Sequence, residues 1–309
     1  MIRICGTLAF VVVYIGTCHQ ASHLFLLNPM RKVLFLSAFL LMVTVGSLFG
    51  HDLFLKLPSY FLKANASATV ALFNGTFQKS DNVITRPRMQ DVSIVNGEGV
   101  VRHPDTTRWY EEGTRTLLDI ATRDAGTYVL GVSIVPRVID LSAQDFNDYL
   151  RHDGVLDVLS ARKAQGLLDQ PATERYAKHV KAIVQVGDTR TNTYHHRLNY
   201  PVEIVPQQNP YAQTVGDTLR VRVFREGAPL SQQRVYASHE EHHGNSGHSH
   251  QDGGMHREAV QTRTDEHGIA HIPLTHAGRW YVRLIHMEAV TEPRLDYVSN
   301  WATLTFEIL

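Results

Sequence analysis

The feature that most constrains the fold is a series of strand-length segments whose side chains alternate. "TLRVRVF", residues 218–224, sets Leu219, Val221 and Val223 to one side and Arg220 and Arg222 to the other. That is the period-two pattern of a strand with one buried face. "ATVALFNG", "QDVSIVNGEG", "RTLLDIAT" and "GTYVLGVSIV" are similar short runs, divided by Asn-Gly, Gly-Glu-Gly and Ala-Gly breaks. "AVQTRT", "IAHIPL", "RWYVRLIHM" and "WATLTFEIL" follow later in the chain. No apolar run beyond residue 50 reaches the roughly 20 residues that a membrane-spanning helix needs. Short strands separated by turn residues at fairly even spacing indicate antiparallel sandwiches.

Between these strands the pattern changes once. Ser142 with Asp145 three residues on is a short form of the capping box, and Phe146, Tyr149 and Leu150 follow at helical spacing. Leu156, Leu159 and residues 161–165 extend a second helical pattern that Gly166 ends, and "TERYAKHVKAIVQVGD" reads as a helix running into the strand "AIVQV". The expectation is a mainly β protein of two antiparallel β-sandwich domains. The first, immunoglobulin-like, spans residues 51–205 and carries a helical insertion at 138–181 that covers an open sheet edge. "NYPVEIVPQQNPYAQTVGD" is the crossover to the second, residues 206–309. There "AVQTRT" is expected to pair with "IAHIPL" across the turn Asp265-Glu266-His267-Gly268, and the pattern of Gly, Pro-Leu, Thr-Asp and Gly-x-Trp resembles transthyretin-like sandwiches.

The first fifty residues read as an address. Arg31 and Lys32 after Met30, an apolar run from Val33 to Val45 and small residues beyond it give residues 30–50 the layout of a secretory signal peptide. Residues 1–29 are read as an extension from a start codon called too early, the alternative being an N-terminal anchor. Cleavage after Ser47 matches the small-x-small rule better, while Gly50 offers a small residue directly before His51, and a cut there would make His51 the new N-terminus. Both cysteines, Cys5 and Cys18, fall before residue 50, so the mature chain draws its stability from packing without disulfides. Removing Arg3, Arg31 and Lys32 from the thirty basic residues leaves twenty-seven against thirty acidic ones. That balance argues against a nucleic-acid partner. The expected location is the periplasm or the cell exterior.

One stretch carries chemistry. "HEEHHGNSGHSHQDGGMH", residues 239–256, holds six of the chain's eighteen histidines. Neutral imidazole is the ligating form and suits zinc, copper and nickel. His239, His242, His243, His248, His250 and His256 on a glycine-rich backbone can wrap an ion, and short histidine-rich tracts are a compositional signal of metal binding. Ordering about ten such residues costs roughly 1–2 kcal/mol each, so a flexible tract binds weakly and exchanges fast, as capture and hand-off require. As an N-terminal residue, His51 offers its amine and ring to one ion together. His286 shares strand parity with Trp280, Val282 and Leu284 and is the expected partner, with His239 the third member of a rigid site. His195 and His196 are adjacent and cannot pair; His152, His179, His267 and His276 are read as ordinary surface residues.

Several stretches together resemble one bacterial secreted family: "GHDLFLKLPSY", "ERYAKHVKAIVQVGD", "YPVEIVPQQNPY", and the closing "WYVRLIHMEA" and "WATLTFEIL". That family is catalogued as a domain of unknown function and was once mislabelled as the substrate-specific transmembrane region of a nickel uptake system. The resemblance implies a mature start at His51, a periplasmic component beside a nickel or cobalt membrane transporter, and nickel or cobalt as the ion. The residues alone would take zinc or copper equally well. No hydrolase elbow, phosphate-binding glycine loop or His-Glu-x-x-His motif occurs, so the chain is expected not to be an enzyme. Two rivals stand beside the metal-binding accessory protein: a structural or interaction module with a passive histidine loop, and a copper enzyme built on an N-terminal histidine brace.

Overall fold

The computed structural model describes residues 51–102, 108–242 and 258–309. The described residues belong to one compact unit. The expected extension and signal peptide at 1–50 lie outside the described residues, as do His243, His248, His250 and His256 of the histidine tract. No described helix is long and apolar enough to cross a membrane.

The described chain is mainly β, with antiparallel sheets. β1 (Asp52–Lys56), β3 (Ser67–Gly75), β7 (Arg115–Ala121) and β6 (Trp109–Glu112) form one sheet in that order. A ten-stranded sheet runs β15 (Val260–Arg263), β14 (Arg234–His239), β17 (Gly278–Ala289), β18 (Tyr297–Ile308), β10 (Ala172–Val186), β8 (Gly126–Ile134), β4 (Met89–Asn96), β5 (Gly99–Arg102). Two further strands, β2 (Phe61–Leu62) and β9 (Arg137–Leu141), pair with β10. The third sheet is β11 (Val202–Pro206), β12 (Thr218–Arg225) and β13 (Ala228–Pro229), with β16 (Ile269–Pro273) also on β12. Leu219, Val221 and Val223 of β12 are fully buried and Arg220 is exposed, as the alternation requires.

Sheet hydrogen bonding crosses the expected boundary at 205/206. β10 of the first half and β18 of the second run parallel, from Glu174 opposite Tyr297 to Ala182 opposite Thr305. One core cluster accordingly includes Leu53, Val70 and Val132 from the first half and Val221, Trp280 and Phe306 from the second. The expected β15–β16 hairpin is corrected. β15 pairs with β14, and β16 pairs with β12 in a different sheet. The 265–268 turn instead carries the chain between sheets; Asp265 Oδ1 accepts from the amides of His267 and Ile269, and Gly268 has φ 73°, a left-handed value that favours glycine.

The helical segment is shorter than expected. α1 (Ala143–His152) is capped by Ser142, whose hydroxyl accepts from the Asp145 amide at 3.1 Å. α2 (Leu156–Ala164) ends where Gly166, φ 71°, lets Leu167 N–H reach the Arg162 carbonyl. α1 packs on the sheet through Phe146, Tyr149 and Leu150 against Ile285, Met287, Tyr297 and Trp301, and Val158 and Leu159 of α2 pack against the same cluster. "TERYAKHVK", however, is strand throughout. Glu174, Lys178 and Lys181 fall at spacings of four and three, which imitate a polar helix face. In the fold they are buried within β10 and individually paired: Glu174 with Ser299 and Tyr149, Lys178 with the His51 carbonyl, and Lys181 with Glu203 at 2.8 Å.

Candidate functional site

The proposed triad of His51, His239 and His286 does not assemble. β17 separates its members. Side chains alternate along a strand, so Trp280, Val282, Leu284 and His286 share one face while Tyr281, Arg283 and Ile285 share the other. His239 lies directly opposite Trp280, with ring centroids 5.1 Å apart. His286 is six residues further on, about 20 Å at roughly 3.3 Å per residue. β1 covers the opposite face: Asp52 sits 3.4 Å from Arg283 and the Phe54 ring 5.2 Å from that of Tyr281. His51 therefore belongs to the far side of the sheet from His286. Among the described residues, no three His, Cys, Asp or Glu side chains converge to hold a metal ion.

His286 is hydrogen-bonded through one ring nitrogen only, its Nε2 being buried without a hydrogen-bond partner. Its Nδ1 lies 2.9 Å from Gln233 Oε1 and its Nε2 3.4 Å from Glu288 Oε1, and burial holds its pKa below the ordinary value. His179, expected on the surface, is buried: Nδ1 meets Ser133 Oγ at 2.8 Å, Nε2 meets Asn300 Oδ1 at 3.0 Å, and the ring stacks on Tyr200. Odd positions of β10 look alike in sequence whether they meet water or a neighbouring sheet, so nothing in the strand itself marked His179 as interior.

The root of the histidine tract is different. His239 ends β14 at 4% exposure, and its Nδ1 is buried without a hydrogen-bond partner. Its ring stacks on that of His276 at 4.1 Å and lies 5.7 Å from that of His242. Burial lowers the His239 pKa first, and the neighbouring His276 and His242 lower it further, so its ring is held in the neutral, ligating form. Trp280 fixes this corner from both sides: its ring backs His239 and its indole N–H donates to the His276 carbonyl at 2.9 Å. Glu240, the next residue, accepts from Lys56 Nζ at 2.8 Å and pairs with Arg279. The tract thus leaves the fold beside His239, whose ring meets those of His276 and His242. Sequence reading missed His276, because its place beside His239 comes from β17 pairing with β14. Its position four residues before Trp280 was the one available signal.

The tract returns at Glu258 into a second cluster, on the β1 side of the sheet. Arg283 binds Glu258 Oε1 through Nε at 2.8 Å, donates to the Asp153 carbonyl at 3.1 Å and lies over the Tyr236 ring. Glu258 Oε2 and Asp153 Oδ2 are buried without hydrogen-bond partners. Desolvation pushes the Asp52 carboxyl up to about 6 and Glu174 up to about 7, and pulls the Lys178 ammonium down to about 8. The same burial is opposed at Arg283 by Asp52 and Glu258, which hold its pKa above the ordinary value.

The family model of the domain of unknown function DUF4198 matches residues 48–288. The chain belongs to the DUF4198 family. No curated protein matches it. Among solved structures, this DUF4198 chain is similar to the D0-D1 domain of intimin, with 12% identity over 83% of this chain and 97% of that one and a TM-score of 0.20. A Salmonella alpha-2-macroglobulin matches with 9% identity over 83% and 15%, TM-score 0.21. The Escherichia coli adhesin FdeC matches with 14% identity over 82% and 64%, TM-score 0.19. Likenesses at these scores carry no argument about what the DUF4198 chain does.

Proposed function

We propose that the protein is a transition-metal-binding accessory protein of the periplasm or cell exterior that assists nickel or cobalt uptake, with a role in binding and not in catalysis. The observation that supports this reading is the corner of His239, His242 and His276 at the root of the histidine tract. A buried imidazole nitrogen with no partner is costly to leave unpaired, and a metal ion supplied with further imidazoles from the tract would pair it. A root held in β14 also lowers the ordering cost that weakens a free tract. The choice of nickel or cobalt over zinc or copper comes from the family resemblance, and a membrane transporter of those ions is the implied partner.

Calorimetric titration of nickel, cobalt, zinc and copper into residues 51–309 tests the reading. Binding of at least one ion at micromolar levels, weakened at least tenfold in a His239→Phe/His276→Phe variant, is the expected result. Absence of binding by all four ions removes the proposal and leaves a structural module with a passive loop as the better account.

A further inference from the structure

Residue 51 is held on three sides. Its carbonyl oxygen accepts from Lys178 Nζ, and that ammonium is itself seated over the Trp301 ring at 4.6 Å. The following residue, Asp52, is fixed by pairing with Gly75 in the sheet and by Arg283 at 3.4 Å. The ring Nε2 lies 3.3 Å from Asp81 Oδ2, both side chains being about 30% exposed, while Lys79 holds the other carboxylate oxygen at 2.8 Å. The 75–81 turn that delivers Asp81 depends on Gly75. A Cβ there would fall 2.4 Å from the Lys79 carbonyl oxygen and 2.9 Å from Asp81 Oδ2. Ser80 closes the turn through its bridge to Gly75, and Asp81 N–H bonds the Asn74 carbonyl at 2.9 Å.

We infer that cleavage of the 50–51 peptide bond turns this arrangement into a second metal site, in which the His51 α-amine and Nδ1 chelate one divalent copper or nickel ion and Asp81 and Lys178 act as positioning residues. The inference rests on the secreted, metal-binding reading above. Its chemistry is local. A carboxylate facing Nε2 favours the proton on that nitrogen, leaving the lone pair on Nδ1, the arrangement by which outer carboxylates orient metal-bound imidazoles. Amine and Nδ1 of one residue close a six-membered ring around an ion, and two nitrogen donors favour copper and nickel over the earlier divalent metals. No described histidine bonds to or stacks on His51, whose polar partners are Asp81 and Lys178; this separates the site from a brace of two histidines.

The test uses residues 51–309 lacking 243–257 and carrying His239→Phe, so that the tract and its root do not contribute. Copper(II) and nickel(II) are titrated into this chain with a free His51 amine and into the same chain acetylated at that amine. The expected result is one equivalent bound by the free form, with the copper spectrum of an amine and an imidazole, and at least a hundredfold loss on acetylation. Asp81→Ala should weaken binding 10- to 100-fold while Asp81→Asn, which still accepts from Nε2–H, recovers most of it; unfolding curves separate this from loss of fold. Equal affinity of free and acetylated chains overturns the inference. So does binding by the intact 51–309 chain that vanishes altogether in the tract-deleted form, although the function proposed above then stands. No binding by either form of any chain removes both.

Discussion

The two faces of β17 are one residue apart in sequence and opposite in character. The face of Trp280, Val282 and Leu284 is dry and apolar, with an imidazole near each end: His239 against Trp280, and His286 four residues beyond Val282. The other face carries Arg283 among Asp52, Glu258 and the Asp153 carbonyl, roofed by β1 and the end of α1. The first face is held by packing. The second is held by charge taken out of water, where each ion is tolerable only because its partner is present. The difference teaches where the molecule can vary. An apolar face loses stability in proportion to the volume removed, whereas a buried ion cluster loses it abruptly when one sign is deleted.

The largest effect is expected at Arg283. Arg283→Met leaves Asp52 and Glu258 facing each other without their cation and should cost about 3–5 kcal/mol, measured by urea unfolding of residues 51–309. Its neighbour supplies the contrast. Leu284→Ala on the apolar face should cost about 2–5 kcal/mol according to how far the cavity collapses. If adding Glu258→Gln restores part of the stability lost in Arg283→Met, the charge account is sharpened; if the double variant is worse by the full sum, the two faces differ less than argued.

The faces should also respond to pH with opposite sign. Asp52 and Glu174 have folded pKa values raised to about 6 and about 7, so the stability they contribute is complete below their unfolded values and lost as pH rises through those numbers. His239 and His286 have lowered folded values, so their contribution is present above the ordinary histidine value and lost as pH falls. Unfolding measured from about pH 4 to pH 8 should tilt towards higher pH in Asp52→Asn/Glu174→Gln and towards lower pH in His239→Phe/His286→Phe. Parallel curves for both variants would break the comparison. The smallest effect belongs to neither buried face. Arg175 and Glu292 form an exposed bidentate pair at 2.8 and 2.9 Å, and Glu292→Ala should leave the unfolding curve nearly unchanged in the same assay, because water screens an exposed pair.

Much of this was legible in sequence. The alternation in "TLRVRVF" and "RWYVRLIHM" identified strands and their buried sides, Ser142 and Gly166 bounded the helical segment, and Asp265 and Gly268 marked a turn, because each of these depends on neighbours within a few residues. Composition and the histidine tract likewise set the chemistry that any site here could use. Tertiary structure alone decided which strands meet. The parallel pairing of β10 with β18 joins residues more than a hundred positions apart, sets Lys178 beneath the His51 carbonyl, and makes "ERYAKHVK" a strand with buried charges where its local spacing reads as helix. β17 pairing with β14 brings His276 onto His239 and keeps His286 away from both. The physical reason is the same in every case. Periodicity reports which side of a segment is buried, but the partner that buries it is chosen by long-range packing, and a charged residue inside the fold declares itself only once its counter-ion has arrived.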